Sequence, residues 1–432
     1  MEKVESMMFE KEKGNTKINR LRIIDKYEAD YNLLLKIYWS KITNNIAEKN
    51  NTFGKKQLGT RKRKSSTDVA MINEFILDTA RIHQQTIDIQ QNGASACYDR
   101  IIANHASINS RREGTPKRVC KLRANTLHST NFHIQTSLGT SKESYSHKQY
   151  PIHESGQGGG SAGNEFTFIS VPIIKTIEKI SPGWYSTNLN NKNKWKTYML
   201  VFVDNSRNFV TTKQRTHSNS PELCNLLQHA AQSWEHILST SEGKLNPAKC
   251  VFYILQWTFQ PDGTSKVDNT SVFRIPITSS DTKESINVPY LHPNQPATYL
   301  GHISQPDGNQ TAPYNLVLSK TKNFAQRIIS INMSRQLITM TNSSIIDPTI
   351  KYPLTSPCFT DQQIDTIHKS IHPTVIAGMG YTSKWPKELR YGTHKHFSLK
   401  LQYYMDLNSS FRKEIPFIDS SIIQTLNTLL PA

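Results

Sequence analysis

Tyr198-Met199-Leu200-Val201-Phe202-Val203-Asp204-Asn205-Ser206-Arg207-Asn208-Phe209-Val210-Thr211-Thr212 is the stretch from which the fold is read. The apolar run Tyr198 to Val203 has the length and composition of a buried strand. Asp204-Asn205-Ser206-Arg207 favours a turn, because Asp and Asn side chains hydrogen-bond their own backbone. Phe209-Val210-Thr211-Thr212 returns to aromatic and β-branched residues. The spacing predicts a tight β-hairpin over 198–212 with an acidic tip. On its own, Asp204-Asn205 reads as a turn before it reads as a metal site.

The flanks carry matching units. Upstream, Thr86-Ile87-Asp88-Ile89 reads as a strand running into Asn92-Gly93-Ala94-Ser95-Ala96-Cys97-Tyr98-Asp99-Arg100. Gly156-Gln157-Gly158-Gly159-Gly160-Ser161-Ala162-Gly163 is a glycine-rich turn; alone it has the composition of a flexible linker. No Gly-Lys-Ser/Thr follows, so it is not a Walker-type phosphate loop. The helix after it shows Phe166, Ile169, Ile173, Ile177 and Ile180 on one face, with Ser161 or Asn164 at its start. Pro172 inside it is expected to kink it. Downstream, Leu223, Leu226, Leu227, Ala230, Trp234, Ile237 and Leu238 mark another helix that stops near Gly243. Val251 to Phe259 reads as a strand, Pro261-Asp262-Gly263 as a turn and Val272 to Ile277 as a further strand. Residues 281–296 look irregular, and Leu316 to Met333 looks helical.

Towards the start, Tyr31, Leu34, Leu35, Tyr38 and Ile42 recur at helical steps, and a second helix is expected from Thr67 to His83. Between them lies a basic loop, Lys55 to Lys64, containing Arg61 and Arg63. A second basic region holds Arg111, Arg112, Lys117, Arg118, Lys121 and Arg123. The first twenty residues are charged and expected to be loosely ordered; residues 139–150 are expected to form a polar loop.

Lys and Arg total 52 against 34 Asp and Glu, a formal charge of +18. That surplus calls for a polyanionic partner, with nucleic acid ahead of an anionic membrane. No apolar stretch reaches eighteen residues, and the N-terminus has no apolar signal region, so an intracellular protein, nuclear or cytoplasmic, is expected, without a membrane. Five cysteines, none in a C-x-x-C pair, argue against a disulfide framework or a structural zinc site. Cys97 reads as a core thiol, Trp234 and Trp257 as core, and His394 and His396 as surface residues rather than ligands.

The order of these parts resembles a reverse transcriptase of a eukaryotic retroelement. Arg20 to Ile24 with Glu28 to Asn32 is similar to a first fingers motif. Gln57-Leu58-Gly59 with Arg61 and Arg63 is similar to the segment over the template and incoming nucleotide. Ala94 to Ile101 resembles the body of a D-A-x-A-C-Y-D-R motif, and Gly156 to Ser161 a G-Q-G-x-x-S turn. Phe202-Val203-Asp204 stands where the family has paired aspartates. Gly243 to Cys250 resembles its next motif and Tyr299-Leu300-Gly301 its primer-gripping turn. The match runs from about residue 15 to 310, and more faintly to 405.

The resemblance implies an α+β right-hand polymerase. Its fingers would span 20–85 and 105–150, its palm 86–104 and 151–310, and its mostly helical thumb or connection 311–432, after a flexible segment 1–19. It implies RNA template, DNA primer and dNTP as partners and Mg²⁺ as cofactor, two ions roughly 3.5–4 Å apart held by carboxylates. Asp204 would be a metal ligand, and Lys249 a proton donor or charge partner for pyrophosphate. Gly156, Gln157 and Gly158 would support the nucleotide, with Arg61 and Arg63 on triphosphate and template. Two positions break the pattern. Gly93 stands where the first aspartate belongs, and Asn205 where the second of the pair belongs. Asp88 and Asp99 are the acids that could substitute. An impaired RNA-directed DNA polymerase is therefore the leading expectation. A non-catalytic nucleic-acid-binding protein on the same fold is the alternative, and an RNA-directed RNA polymerase a distant third. The oligomeric state is not legible.

Overall fold

Residues 3–404 are described by the computed structural model, apart from stretches of which 150–155, 188–193, 212–219 and 392–400 are the longest. Strands and helices are numbered along the chain. The central sheet has four strands: β8 (Met199–Phe202) pairs with β9 (Asn205–Thr211), β9 with β3 (Ile87–Gly93), and β3 with β10 (Val251–Leu255), all antiparallel. Side chains alternate across it. Met199, Val201, Val210, Phe252 and Ile254 share one core with α6 (Ala162–Ile180) and α7 (Ser220–Ser239), through Phe166, Ile169, Ile173, Leu223, Leu227 and Trp234. Ile87, Ile89, Leu200, Phe209, Tyr253 and Leu255 share a second core with Val69, Ile72 and Ile76 of α3 (Ser66–Ile82). The sheet is covered by helices on both faces, which is why β8 and β10 read as unbroken apolar runs rather than alternating ones.

Local chemistry sets the helix ends. Ser65 caps α3: its hydroxyl accepts from Asp68 N, and the Asp68 carboxylate accepts from Ser65 N at 2.7 Å. Helix α6 runs through Pro172 without a break. Proline has no N–H for the carbonyl four residues back, which is Phe168. Arg112, at the end of α4 (Ala103–Arg112), donates to that carbonyl at 3.2 Å instead.

The chain start differs from expectation. Lys3–Glu10 is a strand, β1, paired antiparallel with β2 (Leu21–Lys26) and parallel with β4 (Asn131–Thr136). Its inward positions are Val4 and Ser6, and Ser6 hides the pattern because its hydroxyl is satisfied inside, donating to Asp25 at 2.7 Å. The supposed polar loop contains β5 (Gly139–Ser146), paired with β4. It is an edge strand of Ser, Thr, Lys and Glu, the composition that keeps an edge from aggregating and that conceals it from pattern reading. Behind this sheet, α1 (Ala29–Leu35) continues through a π-helical stretch, Lys36–Thr43, into α2 (Asn44–Lys49), and α5 (Lys117–Ser129) packs alongside.

Small hairpins complete the middle of the chain: β6 (Trp184–Thr187) with β7 (Lys194–Thr197), and β11 (Trp257–Phe259) with β12 (Ser265–Val267). Two more follow, β13 (Ile275–Thr278) with β14 (Ser285–Val288) and β15 (Ala297–Tyr299) with β16 (His302–Ser304). The strand expected over 251–259 divides at Gln256, and β14 lies in the stretch expected to be irregular. Helices α8 (Thr311–Ser330), α9 (Arg335–Thr341), α10 (Asp347–Leu354) and α11 (Asp361–Gly378) form a core of their own around Val317, Ile350, Ile364 and Ile371. Cys97, Cys120, Cys224 and Cys250 are buried thiols outside any disulfide. Among the described residues no helix is long and apolar enough to cross a membrane.

Candidate active site

Phe202 pairs with Asn205, so the hairpin turns on Val203 and Asp204 alone. A two-residue turn of this hand needs a positive φ. Val203 supplies it at φ +56°, a region that β-branched residues avoid at a cost of about 1–3 kcal/mol. The side chain of Gln57, fully buried, holds the strained residue on both sides. Its Oε1 accepts from Val203 N at 3.2 Å, and its Nε2 reaches Val203 O at 3.4 Å. The same amide is fixed by Gly59 N at 2.8 Å and by Ser170 Oγ at 2.7 Å. Backbone bonds from Leu58 N to Val201 O at 2.8 Å and from Val201 N to Lys56 O at 3.0 Å dock the segment on β8. Gly59 is required there: a Cβ would lie 2.4 Å from Val203 N.

Gly93 stands directly across β9 from Asn205, beside Asp204. The two positions where carboxylates were missed in the sequence therefore meet. Asn205 Nδ2 donates to Asp204 Oδ1 at 3.1 Å. Burial pushes the Asp204 carboxyl above its usual range, while a hydrogen bond from the Cys97 thiol and the charge of Lys249 pull the other way. The loop after α7 closes over Gly93. Asn246 N donates to Gly93 O at 2.8 Å, and Ala94 bridges Leu245. The Lys249 stem fills the side-chain space: a Cβ on Gly93 would meet Lys249 Cβ at 2.8 Å and Cδ at 3.2 Å.

The other expected residues divide. Gly156 (φ +69°) and Gly158 (φ +117°) are true turn glycines; a Cβ would strike the Tyr27 hydroxyl at 2.0 Å and Asp25 O at 2.4 Å. Their turn is sewn to β2 and α1 by Asp25 N to Gln157 O at 2.7 Å and Gly160 N to Asn32 Oδ1 at 2.6 Å. No hydrogen bond among the described residues joins Gln157 to Asp204 or Gly93. Arg61 is engaged by Glu48 at 2.6 Å and by the carbonyls of Gly54 and Gln57 at 2.7 and 3.1 Å, so it braces its own loop. Arg63 is exposed. Asp88 is no substitute ligand. It lies about 16 Å along β3 from Gly93 and on the opposite face of the sheet, and it is 0% exposed. Asp99, His394 and His396 lie outside the described residues.

Magnesium, which the resemblance implies, wants several hard oxygen ligands. Around Gly93 the residues do not fit it. Among the described residues one carboxylate, Asp204, stands there, already accepting from Asn205 and Cys97, and a lysine stem occupies the neighbouring space. Among the described residues no group of three or more His, Cys, Asp or Glu is arranged to hold a metal. Gln57 is the functional residue whose role the sequence hid. An amide inside a basic loop reads as a solvent-facing or ligand-facing group, not as a clamp on a hairpin.

No family model and no curated protein matches the sequence. Telomerases are among the solved structures it resembles. Telomerase from Candida tropicalis in complex with the TWJ fragment of telomeric RNA gives a TM-score of 0.40 at 11% identity, over 99% of this chain and 64% of that one. The corresponding complex from Candida albicans gives 0.40 at 10%, over 88% and 56%. Apo telomerase from Candida tropicalis, truncated from the C-terminal domain, gives 0.37 at 12%, over 62% and 52%. The chain spans about half to two thirds of the length of these proteins. It is the geometry around Asp204 that carries the function proposed next.

Proposed function

We propose that this chain is a reverse-transcriptase-like protein, of retroelement type, that holds nucleic acid and no longer carries out efficient RNA-directed DNA synthesis. The observation that carries the reading is Gly93 facing Asn205 beneath the Lys249 stem. Nucleotidyl transfer by two metal ions would need carboxylates at both positions to hold the ions, one to activate the primer hydroxyl and one to offset the charge of the triphosphate. A glycine and an amide supply neither. The surplus of +18 supports an RNA template and a DNA primer as the bound polyanion, with dNTP a ligand in the active reading.

Primer extension on an RNA template, with Mg²⁺ or Mn²⁺, run beside salt-dependent binding to an RNA–DNA duplex, tests this. Binding that weakens with salt, without extension, is the expected result. Extension by the unaltered chain that disappears in Asp204→Ala would overturn the reading in favour of an active polymerase.

A further inference from the structure

Helix α4 ends in Arg111-Arg112, and α5 begins with Lys117-Arg118, so a short turn brings two basic helix ends to one corner. The turn is firmly held. Gly114 (φ +107°) closes it with Gly114 N to Arg111 O at 3.0 Å and Thr115 N to Ser110 O at 2.9 Å. Thr115 and Thr43 hydroxyls meet at 2.8 Å, and Trp39 Nε1 donates to Ser110 Oγ at 3.0 Å. A Cβ on Gly114 would sit 2.9 Å from Ile46 Cγ2, so the turn is pressed onto α2.

Among the described residues, Glu113 and Glu165 are already taken. Glu113 is buried and paired with Arg112 at 3.0 Å, and Glu165 is paired with the buried Arg123 at 3.4 Å. Arg111, Lys117, Arg118 and Lys121 are left exposed, and none forms an ion pair among the described residues. Arg111 suits the last turn of α4, but the three on α5 work against their helix. Lys117 and Arg118 occupy a first turn with no acid in it, at the end where the helix dipole repels cations. Lys117 and Lys121 are like charges one turn apart. Pro116, at the cap, offers no side-chain acceptor. Folding gains nothing from Lys117, Arg118 and Lys121 as placed, so a bound partner is what accounts for them.

We propose that the α4–α5 corner is a second nucleic-acid surface, separate from the palm hairpin, which takes the phosphate backbone of a bound strand. Helix α6 stands between the two. Its Phe168 and Val171 pack with Val119 of α5, while Phe166, Ile169 and Ile173 pack with the central sheet. Four cations spread over two helix ends suit a repeating polyanion better than a single phosphate group.

The test is binding of labelled single-stranded RNA and of an RNA–DNA duplex to the full chain across a salt series. It compares the parent with an R111Q/K117Q/R118Q/K121Q variant. The slope of log Kobs against log salt is expected to fall by about 2–4, from three or four lost contacts at about 0.7–0.9 each, with affinity at low salt down tenfold or more. The two ligands distinguish a strand from a duplex as the occupant. A second variant, K117E/R118E, puts acids where the helix dipole favours them; it is expected to melt no lower than the parent and still bind more weakly. Unchanged affinity and slope in both variants would overturn the proposal. So would a loss confined to vesicles containing phosphatidylserine, which would make the corner a membrane surface.

Discussion

Asn205 and Arg207 stand on the same face of β9, one step apart, and their surroundings are opposites. Arg207 is 1% exposed. It donates to Asn73 Oδ1 at 2.7 Å and to Gln91 Oε1 at 3.1 Å, and its guanidinium lies 4.3 Å from the centre of the Tyr299 ring. Asn73 in turn reaches Ser304 Oγ at 3.3 Å, and Ser304 donates to Glu74 at 2.8 Å. Asn205 is half-buried, and its amide nitrogen donates to the Asp204 carboxylate. A connected buried network strands every remaining member when one is lost. A carboxylate cluster behaves the other way, because its members repel until a cation arrives, and removing one relieves the rest. On the function proposed above, selection for folding alone would keep Arg207 and would not keep acids at positions 93 and 205.

The largest expected effect comes from the conserving side of this contrast. Arg207→Ala should cost about 3–5 kcal/mol in chemical denaturation, since it empties a buried volume and leaves Asn73 and Gln91 short of a donor. A loss below about 1 kcal/mol would mean the network does not brace the sheet. Next comes the reversal of the other side. Gly93→Asp should destabilise by about 1–3 kcal/mol, because its Cβ collides with Lys249, and should yield no primer extension. Adding Lys249→Ala should return most of that stability. Equal cost with and without Lys249 would show that the stem is not what closes the position.

The smallest effect is a matter of pH. Asp88 is buried with neither carboxylate oxygen hydrogen-bonded, facing Cys224 and Tyr290, and burial pushes its carboxyl well above the usual range. In the unfolded chain it ionises near its ordinary value of 3.8. Stability from this group is therefore whole below that value and declines as pH rises towards the folded value. Asp88→Asn removes the decline, so its melting temperature relative to the parent should rise between pH 4 and pH 7. A difference that stays flat across that range would mean the carboxyl is ionised and solvated in the native protein.

The sequence made the sheet legible wherever a strand is buried on both faces, as at Met199 to Phe202, and the helices wherever apolar residues recur at three and four, as along α6 and α7. It did not show β1 or β5, because Ser6 and the Ser/Thr-rich edge give no alternation, and β1 also depends on β4, more than a hundred residues further along the chain. The same holds at the site. Gly93 and Asn205 could be identified as departures from a pattern. That Lys249 fills the gap, or that Gln57 clamps Val203, depends on segments more than a hundred residues apart coming together. Arg207 drew no notice because Ser-Arg-Asn after an acidic tip reads as a solvated turn, and only the register puts it inside.

The bond from Arg112 to Phe168 couples two helices that sequence order keeps apart. When α4 frays, the carbonyl opposite Pro172 loses the Arg112 donor, and α6 is weakened at its midpoint, where it joins the two packed layers on either side of it. Amide protons of α4 and of the second half of α6 should then exchange with solvent at one common rate, as a single opening unit rather than two.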